Sequence, residues 1–186
     1  MMEIVIALLI FGGFIVLFFG GLYKWAQHQT HLAKRQFALN SQVLGFSLAP
    51  PEAYRTLEAI LTALPGWQDK NVKCRAASFT DMDEVKVHLL ICEQDGRRIA
   101  LQFAIALFSS PTMNLPSFQS RPKRPANELT EGGWLKGLHL AGAGQYFICF
   151  YQTPKQPDKE SLDRLVREGW QHLQAHKTAV SQQMSR

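Results

Sequence analysis

The pattern of apolar and polar positions opens with one unbroken apolar run. Residues 4–23 read IVIALLIFGGFIVLFFGGLY, without a charged or amide side chain. At about 1.5 Å per residue, a helix of this length crosses the roughly 30 Å hydrocarbon layer of a bilayer. We therefore predict a single transmembrane helix, with residues 1–25 as the anchor. The residues assigned to it include Ile4, Leu8, Phe11, Gly13, Phe14, Leu17, Phe18, Gly20, Tyr23 and Trp25.

Two other readings of this run fit less well. A cleaved signal peptide needs a basic start and a shorter apolar stretch of about 7–15 residues, but here the chain begins Met1-Met2-Glu3. A wholly apolar core helix of this length is unusual in a domain this small. The four glycines of the run add one question. Gly13 and Gly20 share a helix face and could contact a partner or a second copy, but no GxxxG spacing occurs, and glycine is common in membrane helices.

The residues after the anchor set its expected orientation. Basic side chains follow it closely, while only Glu3 and the terminal amine precede it. The positive-inside bias then places the C-terminal part in the cytoplasm. The three cysteines are odd in number and form no CxxC pair, which is typical of a reducing compartment. The basic residues concerned are Lys24, Lys34 and Arg35.

The helical pattern continues beyond the anchor as a stalk over residues 26–49, where Gly45 and Pro50 break it. Pro51 suits the first turn of a second helix. Apolar residues then recur at three- and four-residue steps from Tyr54 to Leu64 and stop before Pro65 and Gly66. This spacing predicts an amphipathic helix packed on a sheet.

A period of two replaces the helical spacing after residue 71. Residues 72–79 favour a strand, and residues 84–93 alternate strictly between two faces. Residues 94–97 supply a tight Asp-Gly turn, and residues 98–108 return as a long strand. One face of that strand carries only small side chains and Gln102, so a helix can lie close to it.

The last third of the chain is less regular. Residues 109–125 are rich in proline and serine, and Pro116 indicates an edge strand or a loop. Residues 126–144 are glycine-rich and are predicted to be irregular. Residues 145–152 favour a strand, and Asp158 caps a final helix to about residue 177, before a frayed tail over residues 179–186.

This order of elements predicts an α+β fold. Residues 50–178 form one antiparallel sheet of about four or five strands, with two flanking helices on a face. No crossover helices alternate with the strands, so a parallel nucleotide-binding sheet is not expected. The net charge of +5 suits an anionic membrane surface. Because the basic residues are scattered, nucleic acid is not an expected partner.

No set of residues spells out a reaction, and we predict neither a cofactor nor a metal. His28 with His31, and His172 with His176, share helix faces, but neither pair has a third ligand nearby. The glycines at 142 and 144 precede a strand rather than a helix, so they do not make a phosphate loop. The acidic group Asp81, Asp83 and Glu84 is read as a solvated turn, and Cys92 and Cys149 are read as buried apolar residues.

Three functions remain open. The leading hypothesis is a single-pass membrane protein whose cytoplasmic domain binds a protein partner, self-associates, or scaffolds or regulates a membrane complex. The first alternative is a tethered enzyme or small-ligand binder, with His139 as the polar participant. The second is a sensor of anionic lipid. The residues expected to contact lipid or a partner are Lys24, Lys34, Arg35, Arg121, Lys123 and Arg124.

Overall fold

A computed structural model describes residues 2–68, 70–95, 101–120, 138–153 and 156–184 of the 186-residue chain, with side chains from residue 11 to residue 178 of these. The described chain falls into two compact units, Met1–Gln36 and Phe37–Arg186.

The first helix, α1, spans Met2–Val43. It ends where Gly45 adopts a positive φ of 84°, and the backbone N–H of Gly45 donates to the carbonyl of Gln42. Such a left-handed residue after the last turn is a common helix stop. Among the residues that are described, no helix is long and apolar enough to span a membrane. The side chains of residues 4–10, with which the predicted anchor starts, lie outside the described ones.

The second unit is built on one antiparallel sheet of seven strands, in the order β1-β2-β3-β4-β7-β6-β5. Helix α2, Pro51–Ala63, connects the first two strands, and helix α3, Lys159–Met184, follows the last. The α+β class and the single antiparallel sheet are therefore confirmed. The strands are β1 Ser47–Leu48, β2 Val72–Met82, β3 Val85–Gln94, β4 Leu101–Ser109, β5 Leu115–Ser120, β6 His139–Gly144 and β7 Tyr146–Gln152.

The two faces of the sheet carry separate cores. Leu57 and Leu61 of α2 pack with Leu90, Ile105 and other residues on one face. The other face is covered by α3 and by Phe37 at the end of α1. The prediction that both helices lie on a face is wrong, because the central strands are apolar on both sides and each side needs its own cover. The apolar positions of the face that α3 and Phe37 cover include Val87, Leu89, Ala104 and Ala106.

The predicted strand count of four or five is also wrong. The two-residue β1 is too short to leave a pattern, and the sequence HLAGAG of β6 predicts an irregular segment instead of a strand. Its glycine nevertheless suits a strand here, since Gly142 pairs with Phe118 of β5 and a Cβ at Gly142 would lie 2.6 Å from that ring. Residues 126–137 of the predicted irregular segment lie outside the described residues.

The last helix begins as predicted and ends later. The Asp158 carboxylate accepts a hydrogen bond of 2.8 Å from the backbone N–H of Ser161, which caps the first turn. The backbone stays helical to Met184, past the predicted end of the helix at about residue 177.

Candidate functional site

An open cleft of about 400 Å³ lies at one end of the sheet, where three turns meet. The β2–β3 turn, the segment after β4 and the β6–β7 turn each contribute to its lining. The antiparallel pairing brings these turns together, because β3, β4 and β7 are neighbours in the sheet. The lining residues are Asp81, Glu84, Lys86, Ser109, Ser110, Pro111, Gln145 and Tyr146.

The β2–β3 turn holds its two acidic residues in an uncommon backbone conformation. Asp83 and Glu84 have φ values of 46° and 66°, and Met82 pairs with Val85 across them. Two consecutive positive φ values define the tight turn that matches the twist of a hairpin. Glutamate residues seldom adopt this left-handed backbone conformation. Residues with such uncommon conformations cluster at functional sites. The turn exposes the Glu84 side chain at the cleft.

The charges of the cleft are mixed and net acidic. Asp81 and Lys86 are direct cross-strand partners, and opposite charges at such positions attract. The Nζ atom of Lys86 also lies 5.7 Å from the centre of the Phe79 ring, within the range of a cation–π contact. Glu84 adds a second carboxylate. The cleft therefore offers two carboxylates and only one ammonium group to a ligand.

Hydrogen bonds fix the opposite wall of the cleft. Ser110 is buried, and its Oγ lies 2.9 Å from Oγ1 of Thr112. The backbone N–H of Ser110 donates to the carbonyl of Gln145, which ties the turn after β4 to the β6–β7 turn. The Nε2 atom of Gln145 donates to the Tyr146 hydroxyl at 2.9 Å. This wall is preformed, so a ligand would meet a polar surface that is already ordered.

His88 lies on β3, two residues beyond Lys86. Burial, followed by the nearby charge of Lys86, lowers its pKa to about 4, and the charge of Asp81 partly opposes this shift. Its Nδ1 is buried and has no hydrogen-bond partner among the described residues. The imidazole is therefore neutral at pH 7 and packs at a ring distance of 6.1 Å from Phe79.

The three thiols are buried, as predicted for Cys92 and Cys149. A hydrogen bond with Cys74 is the largest cause that raises the pKa of Cys92, followed by burial. Burial, followed by the charge of Glu168, raises the pKa of Cys149. Because the thiolate is the nucleophile, these protonated and enclosed thiols are poor nucleophiles.

A second polar group joins α3 to the sheet. The Tyr151 hydroxyl donates to Oε2 of Glu168 at 2.7 Å, and Nε of Arg164 donates to Oε1 at 2.5 Å. Burial is the largest cause acting on the pKa of Glu168 and would raise it, but these two hydrogen bonds outweigh burial and lower the pKa. Burial, followed by the hydrogen bond, raises the pKa of Tyr151. Because the carboxylate is already engaged by both groups, this set positions α3.

The residue proposed for an enzymatic alternative, His139, lies in β6. Its ring stacks on Phe150, its cross-strand partner, at 5.0 Å and 17°. Phe150 is itself buried beside Trp67 and Phe103. The face of the sheet next to His139 is thus filled with aromatic rings. The basic loop with Arg121, Lys123 and Arg124 lies outside the described residues.

No group of three or more histidine, cysteine or acidic side chains that could hold a metal occurs within the described part of the chain. His176 instead stacks on Phe118 at 4.6 Å, so it covers the edge of the sheet. Lys24, Lys34 and Arg35 are exposed on α1. The described anchor residues from Phe11 to Trp25 are exposed too.

No protein-family model, no curated protein and no solved structure matches this chain. The site must therefore be read from its own chemistry. The cleft has no signal in the sequence, because its lining comes from turns that are far apart in the chain. Asp81 and Glu84 were predicted only as members of a solvated turn.

Proposed function

We propose that this chain is a single-pass membrane protein, held by the apolar run of residues 4–23, whose α+β domain lies in the cytoplasm and binds a protein partner at the cleft. The observation that carries the anchorage is the exposure of large apolar side chains along α1. Leu17, Phe14 and Phe18 are 77%, 65% and 54% exposed. Each such side chain gains roughly 1.5–3 kcal/mol on leaving water, so a run of them favours a lipid environment.

The cleft supports the binding of a basic side chain from the partner. Two carboxylates, those of Asp81 and Glu84, line the cleft together with one ammonium group, so an arginine of the partner would find charged acceptors. The guanidinium plane can also stack on an aromatic ring, which Tyr146 supplies. A cleft of about 400 Å³ suits one or two side chains, and surrounding surface would complete the interface.

Alkaline carbonate extraction and cysteine labelling test the anchorage and the orientation. We expect the full-length chain to stay in the membrane pellet. Because the native thiols are buried, a reporter such as Glu52→Cys can be placed on the exposed start of α2 in an otherwise unchanged chain. An impermeant maleimide should label it only after the cytoplasmic face is opened. Release of the intact chain by carbonate would refute the anchorage.

A photo-crosslinking amino acid at Gln145 tests the partner site. We expect a discrete adduct that Glu84→Lys abolishes, because a lysine repels the basic side chain of the partner. The matched control, Glu160→Lys, places the same charge on the exposed start of α3 and should leave the adduct unchanged. An adduct that survives Glu84→Lys would show that the cleft is not the site of contact.

A small polar ligand is the second candidate occupant. The cleft volume falls in the range of about 300–1,000 Å³ that is usual for ligand sites, and its wall is already ordered. A cationic small molecule would use the same carboxylates. In that case the purified chain should bind a guanidinium compound in calorimetry and lose the heat signal in Glu84→Lys, while Gln145 forms no protein adduct.

A further inference from the structure

A repeat of alternating four- and three-residue steps runs along the whole of α1. Every position of this repeat is apolar except Gln29 and Gln36. Sustained steps of this kind place the side chains on one seam of a helix and are typical of a left-handed coiled coil. We call these positions the seam. They are Ile4, Leu8, Phe11, Ile15, Phe18, Leu22, Trp25, Gln29, Leu32, Gln36, Leu39 and Val43.

The contrast between the seam and the rest of α1 is clearest after the apolar run of residues 4–23, where polar residues become common. Between residues 24 and 43, each large apolar side chain that is strongly exposed falls on it. Trp25 and Leu32 are 63% and 46% exposed in the first unit. In the second unit the end of α1 buries Phe37 and Ser41, while Leu39 and Val43 are 56% and 65% exposed. The domain therefore covers the other side of the helix end.

The two glutamines point to an identical partner. An amide carries both donors and acceptors, so a glutamine that faces its own copy can be satisfied. This happens only when two helices run parallel and in register, because any other alignment sets an amide against an apolar side chain. A polar residue at a core position of a coiled coil is a known device for fixing register at some cost in stability.

The charges of α1 are compatible with a second copy. Residues 11–43 hold no acidic side chain, so two copies of this part of α1 bring only basic groups together, but the lysines avoid the seam. Lys24 lies one residue before Trp25 on the flank of the helix, and Lys34 lies midway between Leu32 and Gln36 on the far side. Arg35 alone borders the seam, where its long side chain can extend into water.

We propose that the chain forms a parallel dimer with a second copy of itself, in which the two seams meet along α1. The inference rests on the proposed membrane anchorage, because two chains inserted in the same direction are already parallel and level with each other. The anchorage also confines the copies to one surface, which raises their effective concentration. The dimer would place two clefts beside one membrane and present a partner with two equivalent sites.

Disulfide formation between single cysteines tests the proposal in native membranes, with the full-length chain. Gln36→Cys lies on the seam, and Lys34→Cys is the matched control on the far side, also exposed. A copper–phenanthroline oxidant takes two electrons and two protons from the pair of thiols, and the native thiols are buried. We expect Gln36→Cys to give a band at twice 21.0 kDa, at least several-fold stronger than that from Lys34→Cys.

A second pair of variants distinguishes packing along the seam from random collisions between neighbouring chains. In the Gln36→Cys chain, Leu32→Lys should weaken the band severalfold because it places a charge in the seam, whereas Gln27→Lys on the exposed far side should not. Coexpression with a longer tagged copy should give three bands, which identifies the partner as the same chain. Equal bands from Gln36→Cys and Lys34→Cys, an adduct of another mass, or no adduct would each overturn the dimer.

The same membranes distinguish the two proposals. If the chain stays in the carbonate pellet but Gln36→Cys gives no dimer band, the proposed anchorage stands and the proposed dimer is wrong. A chain that carbonate releases loses the anchorage, and the band from position 36 still reports whether the copies pair.

Discussion

Gly169 lies where α3 comes closest to the sheet. A Cβ at this position would be 2.5 Å from Sγ of Cys149 and 2.6 Å from Cε2 of Phe108. Both side chains are completely buried in strands, so neither can easily move. We predict that Gly169→Ala lowers the free energy of unfolding by about 1–2 kcal/mol, since overpacking costs more than the roughly 1 kcal/mol that alanine gains in a helix. Denaturant unfolding of the full-length chain in detergent measures it.

A double mutant provides the control for this prediction. Cys149→Ala removes the sulfur atom that the new methyl group would meet, so it should relieve part of the cost of Gly169→Ala. The coupling between the two changes should then be favourable by about 0.5 kcal/mol or more. Strict additivity would show that the contact with Cys149 is not the reason for the glycine.

His88 gives the second prediction at the residue scale. Its pKa in the folded chain is about 4, against the ordinary imidazole pKa of 6.5 that applies to the unfolded chain. Between these values the unfolded chain binds a proton that the folded chain excludes, so stability is complete above pH 6.5 and falls as the pH is lowered toward 4. We predict that His88→Asn flattens this slope. In the unchanged chain, His88 accounts for a loss of at most about 3 kcal/mol in the free energy of unfolding over this pH range.

The slope of unfolding free energy against pH measures this effect, and His31→Asn on the exposed face of α1 serves as the control. The comparison uses slopes rather than absolute stabilities, because the substitution also changes packing beside Phe79. An unchanged slope between pH 6.5 and 4 in His88→Asn would assign the acid sensitivity to other groups.

At the scale of the element, α2 is joined to the sheet at a bulge. The register of β2 and β3 shifts between Cys74 and Ala76, and the backbone N–H of Cys74 donates to Oε1 of Glu58 at 2.6 Å. We predict that Glu58→Ala costs about 1–3 kcal/mol, because it leaves a partly buried donor unsatisfied, whereas Glu58→Gln retains an acceptor and costs less. Glu52 is exposed, so Glu52→Ala should change the free energy of unfolding only by the small contribution of an acidic residue in the first helical turn. Denaturant unfolding of the three variants measures the difference, and equal losses from Glu58→Ala and Glu58→Gln would contradict it.

The same bulge is a feature of β2 and β3 that the sequence pattern does not predict. The hairpin turn at Asp83 and Glu84 fixes a simple register in which Arg75 would face Cys92, but the extra residue brings Cys74 there instead. Alternation predicted the strand of β3, and proline predicted the start of α2 at Pro51. Neither signal predicts a bulge at which the backbone N–H of Cys74 donates to a helix residue sixteen positions earlier in the chain.

Tertiary contacts also explain the strand and the cleft that went unpredicted. The sequence HLAGAG of β6 has little strand propensity of its own, and it becomes a strand because Phe118 covers Gly142 and because β7 offers a free edge. The cleft depends on the order of strands in the sheet, which no local pattern encodes. Sequence analysis thus predicted the elements with strong periodicity and missed the site made between them.

At the scale of the whole folded unit, the three thiols report on whether the two cores unfold together. Cys74 and Cys92 belong to the core covered by α2, and Cys149 belongs to the core covered by α3. The strands between them are shared, since alternate residues of β3, β4 and β7 enter opposite cores. Losing either core would leave one face of these strands in water, so we expect a single cooperative transition.

Pulsed alkylation across a urea series measures this cooperativity. We predict that the three thiols become reactive at one common midpoint, with no reaction in the native state because all are buried and Cys92 and Cys149 have raised pKa values. Gly169→Ala, which acts only in the α3 core, should lower the midpoint of all three equally. If it exposed Cys149 while Cys74 and Cys92 stayed protected, the two faces would be separate folding units and the sheet would not couple α2 to α3.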